Sequence, residues 1–545
     1  MRYSIRGPHR GPALLAAVVA SVTVAACSGG SSQGSTGTVS GPGAPSSAVG
    51  APPTPSAPGT SPTPTPTPTR TYPLSSAPLT IPAVAAHEPA RGPGWRPSPD
   101  TGVVVAKGSE RLADEGRLLA GELRIPYRGV AAPRSGDVEL ALGGKGAAES
   151  YTLTTRGDRV RITGPDEAGV FYGTRTLKQS VKGSGAMPEG VVNDRPAKPQ
   201  RGLNLDIARK HFDAAWIEDR VREMGDLKLN QLGLHFSDDQ GFRIASDTHP
   251  EVVSAQHLTK AEVRRIIALA ASRHITVVPE IDSPGHLGAV LRAHPDLRLL
   301  NVQGTPRQGA IDISKPGSAA IVDDLLREYS ALFPGGWFHV GADEYQALTV
   351  RDPAASYPQL ATAAREKYGP EAGIQDLAEG WLNDRAAVVR AADKTAKAWN
   401  DGFFGGGVVN ADKNIEVEYW TGKEIGARPP VEYLSEGRPV VNLNDEFLYY
   451  VLGEPNEFTY PTGRRIYEQW TPLVLRGTTP VPERYGPQIL GGRFAVWCDL
   501  SGAQTQAQVA DGIRMPLTAT AQKLWDAREP TLSWERFRAL ASEVR

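Results

Sequence analysis

Two adjacent carboxylates, Asp343 and Glu344, follow closely after an apolar run over residues 337–340. Large apolar residues followed by small ones are typical of a buried strand that reaches its end, where the chain can turn and present side chains into a cleft. Paired carboxyl groups in such a cleft are suited to acid–base chemistry. The pair is therefore the first candidate for a reactive centre.

Short apolar runs alternate with amphipathic helical stretches from Arg201 onward. Eight runs are candidate strands, at residues 202–207, 231–236, 275–281, 337–340, 395–399, 415–420, 439–443 and 489–497. Helical patterns lie between several of them, most clearly at 214–227, 260–272 and 377–392. This alternation predicts an α/β fold, a (β/α)8 barrel whose chemistry takes place at the carboxyl ends of its strands. A doubly wound open sheet is the alternative fold with the same alternation.

A barrel requires reactive residues to cluster where its strands end, and the sequence meets that requirement. Polar or aromatic residues follow the strands in order: Asp206 and Arg209; His235, Asp238 and Asp239; Glu280, Asp282 and His286; Asp343 and Glu344; Trp399 and Asp401; Trp420; Trp497 and Asp499. Barrels also contain carboxylates that only support loops, and that alternative stays open for each residue taken alone.

Tryptophans mark the same strand ends. Trp399, Trp420 and Trp497 are three of only 10 tryptophans in the chain. Flat apolar rings suit the C–H faces of a sugar, while carboxylates and arginine bind its hydroxyls through charge-assisted hydrogen bonds. Three such rings beside acids predict a carbohydrate pocket with acid catalysis.

The first residues carry an export pattern. Arg2, Arg6 and Arg10 precede an apolar segment at 14–26 that is too short for a transmembrane helix, and Cys27 follows two alanines. This pattern is similar to a bacterial lipobox, which implies cleavage before Cys27 and lipidation of its thiol. We therefore expect a cell-surface lipoprotein on the outer face of the cytoplasmic membrane, or a secreted protein. An ordinary secretory signal with an incidental cysteine is the alternative.

Composition divides the rest of the 545 residues. A Pro/Thr/Ser/Gly-rich stretch at 28–78 predicts a disordered stalk, residues 79–196 a small α+β domain, and residues 197–545 the barrel. In the small domain we expect strands at 149–155 and 159–163 and a helix at 168–179. The net charge of −1 offers no electrostatic case for nucleic acid as a partner. Cys498, the only cysteine besides Cys27, leaves no Cys-based metal site.

Four motifs in order resemble glycoside hydrolase family 20, the β-N-acetylhexosaminidases. They occupy residues 194–209, 235–243, 279–286 and 339–344, and the segment at 168–173 resembles the small non-catalytic domain of that family. The resemblance covers nearly everything after the stalk. It implies release of terminal β-linked N-acetylhexosamine with retention, by an internal nucleophile: the 2-acetamido oxygen attacks the anomeric carbon and forms an oxazolinium intermediate.

The resemblance also implies roles for individual residues. Glu344 is the candidate general acid and then base, with a pKa near the working pH, and Asp343 orients the acetamido group. Neighbouring residues on a regular strand point to opposite faces. Asp343 and Glu344 can therefore contact one sugar only if the regular strand ends before them. Tyr449, with Tyr450 as the alternative, donates to the acetamido oxygen.

Further implied roles lie around this pair. Asp238 and His286 form a relay behind Glu344, and Arg201 clamps the outer hydroxyls of the terminal sugar. Trp399, Trp420 and Trp497 line the acetamido pocket, and Asp499 also binds substrate. We expect no cofactor and no metal, because the carboxylates lack the clustered His or Cys spacing of a metal site. Nothing in the sequence requires a partner chain, so a monomer is expected.

Two positions depart from the family pattern. The acid after the last tryptophan is Asp499 where the family has Glu, and Val451 stands where an acid normally follows the tyrosine. Both positions ordinarily bind the far hydroxyls of the terminal sugar. A lacto-N-biosidase, which releases a disaccharide, is therefore the alternative within the family. A non-catalytic sugar-binding lipoprotein is the alternative outside it.

Overall fold

A computed structural model describes residue 50 and residues 71–423 and 427–545. The predicted signal segment, Cys27 and, apart from residue 50, the predicted stalk up to residue 70 lie outside the described residues. Within the described ranges, no helix is both long and apolar enough to cross a bilayer. Tyr72 and Ser75, which fall in the predicted stalk, are hydrogen-bonded through their backbones to Arg91 and Ala90. The folded region therefore begins a few residues before 79.

A small α+β domain is built on one seven-stranded sheet of order β1-β7-β5-β6-β4-β2-β3. Its strands are β1 (Ala86–Pro89), β2 (Val103–Val105), β3 (Tyr127–Val130), β4 (Val138–Leu142), β5 (Tyr151–Arg156), β6 (Arg159–Gly164) and β7 (Gly190–Asp194), and its helices are α1 (Ala113–Leu123) and α2 (Glu167–Ser184). The strands and helix predicted at 149–155, 159–163 and 168–179 are present as β5, β6 and α2.

Helix α2 is delimited by residues suited to its two ends. The Asp166 side chain accepts a hydrogen bond from the Gly169 N–H at the start, and Gly185 has a φ of 73° at the end. Between them, Val170, Phe171 and Leu177 are completely buried in the core of the small domain. Helix α2 therefore packs on the sheet of the small domain through these buried side chains.

The predicted (β/α)8 barrel is confirmed. Its parallel strands are β8 (Gln200–Asp206), β9 (Gln231–His235), β10 (Thr276–Ser283), β13 (Trp337–Gly341), β14 (Thr395–Trp399), β15 (Glu416–Tyr419), β16 (Val440–Asn442) and β18 (Ile489–Trp497), and the remaining strands are β11 (Arg298–Leu300), β12 (Pro306–Ile311) and β17 (Tyr449–Val451). Strand β18 pairs with both β8 and β16, so the sheet closes on itself. That closure excludes the doubly wound open sheet.

Helices surround the barrel between its strands, as parallel crossovers require. They are α3 (Ala214–Asp226), α4 (Lys260–Ala271), α5 (Gly288–Ala293), α6 (Pro316–Leu332), α7 (Pro353–Ser356), α8 (Pro358–Tyr368), α9 (Ile374–Arg390), α10 (Pro430–Ser435), α11 (Asp445–Leu448), α12 (Gly463–Gln469), α13 (Gln506–Trp525) and α14 (Trp534–Glu543). The helices predicted at 214–227, 260–272 and 377–392 are α3, α4 and α9. A capping box between Thr259 and Glu262 begins α4.

The seventh barrel strand is divided in two. Strands β16 and β17 both pair in parallel with β18, first along its amino-terminal half and then along its carboxyl-terminal half. The short helix α11 lies between them. This interruption places Tyr449 and Val451 beyond the regular part of the strand, at the end of the barrel where chemistry is expected.

Charged side chains fill part of the barrel interior, where branched apolar residues are usual. Lys397 Nζ lies 3.1 Å from the Glu418 carboxylate, and Arg493 Nη2 lies 2.8 Å from it. His339 links this group to the next carboxylate, because its ring nitrogens lie 3.8 Å from Glu418 and 3.3 Å from Glu280. The interior is therefore a connected polar network that reaches from the barrel core towards the strand ends.

Arg201 lies at the start of β8, at the amino end of the barrel, and is completely buried. Its guanidinium nitrogens lie 2.8 and 3.2 Å from the two carboxylate oxygens of Glu149, and they donate to the Tyr172 hydroxyl at 3.2 Å and the Lys198 carbonyl at 2.8 Å. The prediction that Arg201 clamps the sugar is therefore wrong, because the strand ends that form the pocket are at the opposite end of β8. Arg201 instead joins the barrel to the small domain.

A second buried ion pair joins the same two domains. Lys228, just before β9, places Nζ 3.1 Å from the Asp194 carboxylate at the end of β7, and both side chains are fully buried. The Trp525 indole N–H at the end of α13 donates to Asp194 at 3.0 Å. The small domain therefore packs on the amino end of the barrel through hydrogen-bonded charges.

Candidate active site

One pocket of about 530 Å³ opens at the carboxyl ends of the barrel strands. Eight of the predicted site residues line it: His286, Asp343, Glu344, Trp399, Trp420, Tyr449, Trp497 and Asp499. Asp238 lies behind His286, outside the lining. Val451, the position of the missing acid, also faces the pocket. Tyr450 points elsewhere: its hydroxyl is hydrogen-bonded to Gln504 and its ring stacks on Tyr460, so Tyr449 is the tyrosine of the pocket.

The strand that carries the acids breaks where the sequence requires it. Strand β13 ends at Gly341, whose φ is 75°, and the φ values of Ala342 and Glu344 are 86° and 46°. Left-handed backbone at two non-glycine residues is strained and needs support. The Ala342 N–H donates to Asp282 Oδ1 at 3.0 Å, and the Glu344 N–H donates to Asp401 Oδ2 at 2.9 Å. These contacts turn both acids into the same pocket.

Gly341 is required at the break for a second reason. A Cβ atom at this position would lie 1.6 Å from Asp282 Oδ1. No side chain fits there, because the Asp282 carboxylate must approach the backbone to accept the Ala342 N–H. The glycine of the motif therefore allows Asp282 to hold the turn.

Glu344 is the more accessible of the two acids, with 42% of its side chain exposed. His286 Nε2 lies 3.3 Å from its carboxylate, and this hydrogen bond lowers the pKa of Glu344 from its ordinary value. The expectation of a pKa near the working pH stays a prediction for the complex with substrate. A bound sugar would cover the exposed carboxyl, and desolvation raises the pKa of a carboxylic acid.

A line of alternating charges lies behind Glu344. His286 Nδ1 faces Asp238 at 3.4 Å, and Asp238 also contacts Arg209 Nη2 and His235 Nε2, each at 2.8 Å. Burial opposes the charge of His286, but Asp238 and Asp343 outweigh it and raise the pKa of this histidine well above its ordinary value. Burial likewise opposes ionisation of Asp238, yet Arg209 and His286 lower its pKa well below the usual range. His286 is therefore a cation held between two carboxylates.

This line continues into the barrel interior through His235. Its Nδ1 lies 3.2 Å from Glu280, which in turn accepts the Trp399 indole N–H at 2.8 Å. Although burial disfavours its charge, Glu280 and Asp238 raise the pKa of His235 to about 10. The polar network of the barrel thus holds both the line of charges behind Glu344 and one aromatic wall of the pocket.

The other acid, Asp343, lies beside two further buried carboxyl groups, Asp282 and Asp401. Burial raises the pKa of Asp343, and burial together with Asp343 raises that of Asp282 well above its ordinary value. Asp282 Oδ2 and Asp343 Oδ1 are buried and have no hydrogen-bond partner among the described residues. Burial and Asp343 also raise the pKa of Asp401 to about 8. A proton retained on Asp282 therefore allows Asp343 to stay ionised.

Asp282, His286 and Asp343 also place one donor atom each within 4.8 Å of one another, the spacing of a metal site. The raised pKa of His286 keeps a proton on each of its ring nitrogens, which face Asp238 and Glu344. A histidine protonated at both nitrogens has no lone pair for a metal. These residues therefore suit proton exchange better than metal binding.

Aromatic rings form the apolar side of the pocket. Trp420 and Tyr449 stack in parallel with centroids 5.7 Å apart, and Trp497 lies 5.8 Å from both Tyr449 and Trp399. The Trp420 indole N–H donates to Asp401 Oδ1 at 2.9 Å. Burial raises the pKa of Tyr449 well above its ordinary value, so its hydroxyl keeps the proton that it would donate. These rings and Asp343 line the same pocket.

Arg209, and not Arg201, is the arginine that lies in the pocket. It follows the end of β8, lines the pocket, and is held by Asp206 at 3.1 Å and Asp238 at 2.8 Å. Its guanidinium also lies over the Trp497 ring at 5.5 Å. The strand-end rule indicates Arg209, since it follows β8 whereas Arg201 begins it.

The outer rim carries residues that the sequence did not single out. Lys423 and Asp445 form an ion pair at 2.8 Å, and Glu457 follows β17 in the loop that faces them. Burial raises the pKa of Asp445 above its ordinary value. Charged groups are therefore present on the rim although Val451 supplies none.

Two family models match this chain over most of its length. The family model described as "Glycosyl hydrolase family 20, catalytic domain" matches residues 199–528, and that described as "domain 2" of the same family matches residues 77–195. A lacto-N-biosidase of Bifidobacterium bifidum is 27% identical over 472 residues, which cover 85% of this chain and 41% of that protein. A β-N-acetylhexosaminidase of Cellulomonas fimi is 27% identical over 455 residues, covering 77% of this chain and 83% of that protein.

Solved structures share the fold. An exo-β-N-acetylglucosaminidase of Vibrio harveyi in complex with N-acetylglucosamine aligns with a TM-score of 0.70 at 20% identity, over 86% of this chain and 77% of that one. A mutant Streptomyces plicatus β-hexosaminidase in complex with product aligns with a TM-score of 0.67 at 25% identity, over 87% and 95%. The chain spans about two fifths of the length of the Bifidobacterium relative and about two thirds of that of a Vibrio furnissii β-hexosaminidase.

Proposed function

This chain belongs to glycoside hydrolase family 20, and from that premise we propose that it is a retaining exo-β-N-acetylhexosaminidase. It would remove terminal β-linked N-acetylglucosamine or N-acetylgalactosamine from the non-reducing end of glycans or chitooligosaccharides. The observation that carries the proposal is the break after β13, which turns Asp343 and Glu344 into one aromatic-lined pocket together with Tyr449.

In the first step the acetamido oxygen of the substrate attacks its own anomeric carbon. The glycosidic C–O bond breaks, Glu344 transfers its proton to the leaving oxygen, and a cyclic oxazolinium forms. Tyr449 donates a hydrogen bond to the acetamido oxygen and holds the internal nucleophile close to the carbon, which supplies the proximity term. Asp343 accepts the acetamido N–H and stabilises the positive charge that develops on this nitrogen.

In the second step water attacks the anomeric carbon from the face that the leaving group vacated. Glu344, now ionised, accepts the proton of this water, and the oxazolinium ring opens to give the product with retained configuration. His286 faces Glu344 in both steps. The positive charge of His286 stabilises the ionised form of Glu344. Transfer of the Glu344 proton to the leaving group is therefore favoured once the sugar has covered this carboxyl.

Replacement of Glu344 by Gln tests the assignment. We expect loss of turnover of an unactivated substrate such as a chitooligosaccharide, with sugar binding retained by calorimetry. Glu366→Gln, an exposed change on α8, is the matched control and should behave as wild type. Unchanged turnover in the Glu344 variant would refute its role. A wild-type protein that binds N-acetylglucosamine but hydrolyses no member of a panel of defined β-N-acetylhexosaminides would instead be a sugar-binding lipoprotein.

A lacto-N-biosidase is the second candidate function. Val451 provides no hydroxyl-binding group where the family normally has an acid, and Asp499 is shorter than the usual Glu, so the rim of the pocket can admit a second sugar. The similarity to the Bifidobacterium bifidum lacto-N-biosidase over 85% of this chain supports the same alternative. An aryl N-acetyl-β-glucosaminide and an aryl galactosyl-β-1,3-N-acetylglucosaminide separate the two. Cleavage of only the disaccharide substrate would replace the first candidate by the second.

We further propose that the chain is exported, lipidated at Cys27 and held at the cell surface, where it acts as a monomer. The support is the basic, apolar and small-residue order of the first 27 residues. Labelling of the bacterial host with an alkyne fatty acid should mark the wild-type protein and not Cys27→Ser. Equal labelling of both would remove Cys27 as the lipidation site.

A further inference from the structure

A second cluster of titratable side chains lies outside the sugar pocket, where two segments of the barrel meet. His249 and Glu251 belong to the loop after β9, and His294 immediately follows α5. His249 Nδ1 and His294 Nε2 each lie 2.9 Å from the same oxygen, Glu251 Oε1. One donor atom from each of the three residues lies within 4.8 Å of the other two.

We propose that His249, Glu251 and His294 form a binding site for one divalent transition-metal ion, for which zinc suits the donor set. Two imidazoles and one carboxylate are a common three-residue ligand set for zinc, with water as the fourth ligand. Donors placed 2.0–2.1 Å from a tetrahedral ion lie roughly 3.3 Å apart. The two 2.9 Å contacts would therefore open only slightly to admit the ion.

Exposure and charge at the cluster favour an ion. The exposed fractions of the side chains are 18% for His249, 29% for His294 and 42% for Glu251, so water has access to a fourth coordination position. The Glu251 carboxylate, 2.9 Å from a ring nitrogen of each histidine, supplies the anionic oxygen ligand of the set.

The second ring nitrogen of His249, Nε2, has the surroundings that are usual for a histidine that binds a metal. Nε2 is buried, has no hydrogen-bond partner among the described residues and faces the Asp324 carboxylate of α6 at 3.8 Å. Histidines that bind metals commonly direct the second ring N–H at a carboxylate, which fixes the tautomer with a lone pair towards the ion. Asp324 would thus keep the Nδ1 lone pair of His249 directed at Glu251 and His294.

The ion would act on structure rather than on the reaction. It would tie the loop after β9 to the end of α5, a helix that begins two residues after His286. None of the three ligands lines the sugar pocket. Binding should therefore stabilise the segment that carries His286 without a direct part in proton transfer. Spacing along the chain does not reveal the cluster, because His294 follows Glu251 by 43 residues.

Metal content and thermal unfolding test this proposal on the tag-free protein. After removal of metals with a chelator, we expect one zinc per chain on dialysis against a small excess, and a rise in the unfolding midpoint of about 2–5 °C at saturating zinc. Cobalt in place of zinc should give the intense visible bands of a tetrahedral site. Glu251→Gln and His294→Asn, which keep hydrogen-bonding capacity, should each weaken zinc binding by at least about tenfold.

His257→Asn is the matched control, because His257 lies in the same loop, outside the cluster, and its Nδ1 is hydrogen-bonded to the Ser254 carbonyl at 2.8 Å. It should bind zinc as the wild type does. Turnover of an aryl N-acetylglucosaminide should be equal in all of these variants, which also shows that they are folded. Absence of stoichiometric zinc in the wild type, or equal affinity in the Glu251 and His294 variants, would overturn the proposal.

Discussion

Asp401→Asn is the sharpest test of how Glu344, the proposed general acid, is positioned. One carboxyl group holds two parts of the pocket, because Asp401 Oδ2 accepts the backbone N–H of Glu344 and Oδ1 accepts the Trp420 indole N–H. An amide of the same size has only one oxygen. Its NH2 group must face one of the two N–H donors, whichever way the side chain is turned.

The expected magnitude follows from that mismatch. A buried donor left without its acceptor costs about 1–3 kcal/mol, which corresponds to about a 5- to 150-fold loss of rate if it is expressed in the transition state. Glu344 has a φ of 46°, a conformation that itself costs about 1–3 kcal/mol and that the bond to Asp401 supports. When the bond is lost, the backbone can relax and carry the carboxyl away from the glycosidic oxygen. The loss should therefore appear mainly in kcat, while KM changes less.

Steady-state kinetics with an aryl N-acetyl-β-glucosaminide, together with the thermal midpoint of each variant, measure this effect. Asp384→Asn on α9 is the matched control, since that carboxylate is 52% exposed and contacts Lys367. Burial and Asp343 raise the pKa of Asp401 to about 8, so the wild-type pH profile should contain a transition near that value that the Asn variant lacks. A variant that keeps kcat within twofold of wild type and still shows this transition would refute the positioning role.

The remaining predictions concern binding, specificity and stability. Arg209→Met should lower kcat/KM about 10- to 100-fold. Arg201→Met should instead lower the free energy of unfolding by about 3–5 kcal/mol in denaturant titration and leave kcat within about twofold, because the groups that lose their partner, Glu149 among them, lie at the contact with the small domain and not in the pocket. Val451→Asp should lower KM for the aryl N-acetylglucosaminide about tenfold and impair the disaccharide substrate, since an acid is returned to the rim. The pKa of His235 is raised to about 10 in the folded protein, against about 6.5 in the unfolded chain. The stabilisation of the fold by protonated His235 is therefore fully present below about pH 6.5 and is lost as the pH rises through about 10. The free energy of unfolding should therefore fall by about 3–5 kcal/mol over this range, and less in His235→Gln.

Much of the fold could be predicted because periodicity is local. The strands at 395–399 and 489–497 have the predicted bounds, since each is a short apolar run with clear ends. Strand seven was predicted only as 439–443, and its continuation as β17 was not foreseen. Three residues of strand separated by one turn of helix have no pattern of their own, and only the pairing with β18 makes them part of the barrel.

The acids of the site could be predicted because they lie in contiguous motifs, but the arginine could not be chosen correctly by motif alone. Arg201 and Arg209 stand in the same motif, and only their positions at the start and after the end of β8 separate a domain contact from a pocket residue. The role of Asp401 could likewise not be predicted from the sequence. It depends on a backbone N–H that becomes available only where Glu344 leaves the regular strand.

The interface at Asp194 has a consequence for the order in which the chain can complete its fold during synthesis. The small domain is made first and carries an acid whose partners come later: Lys228 follows Asp194 by 34 residues and Trp525 by 331. Every pocket residue, up to Asp499, has been synthesised before Trp525 exists. A nascent chain thus contains all the groups needed for catalysis while one buried carboxylate still lacks its indole. The contact between the small domain and the amino end of the barrel is therefore completed only after the pocket residues have been made, when helix α13 reaches Asp194.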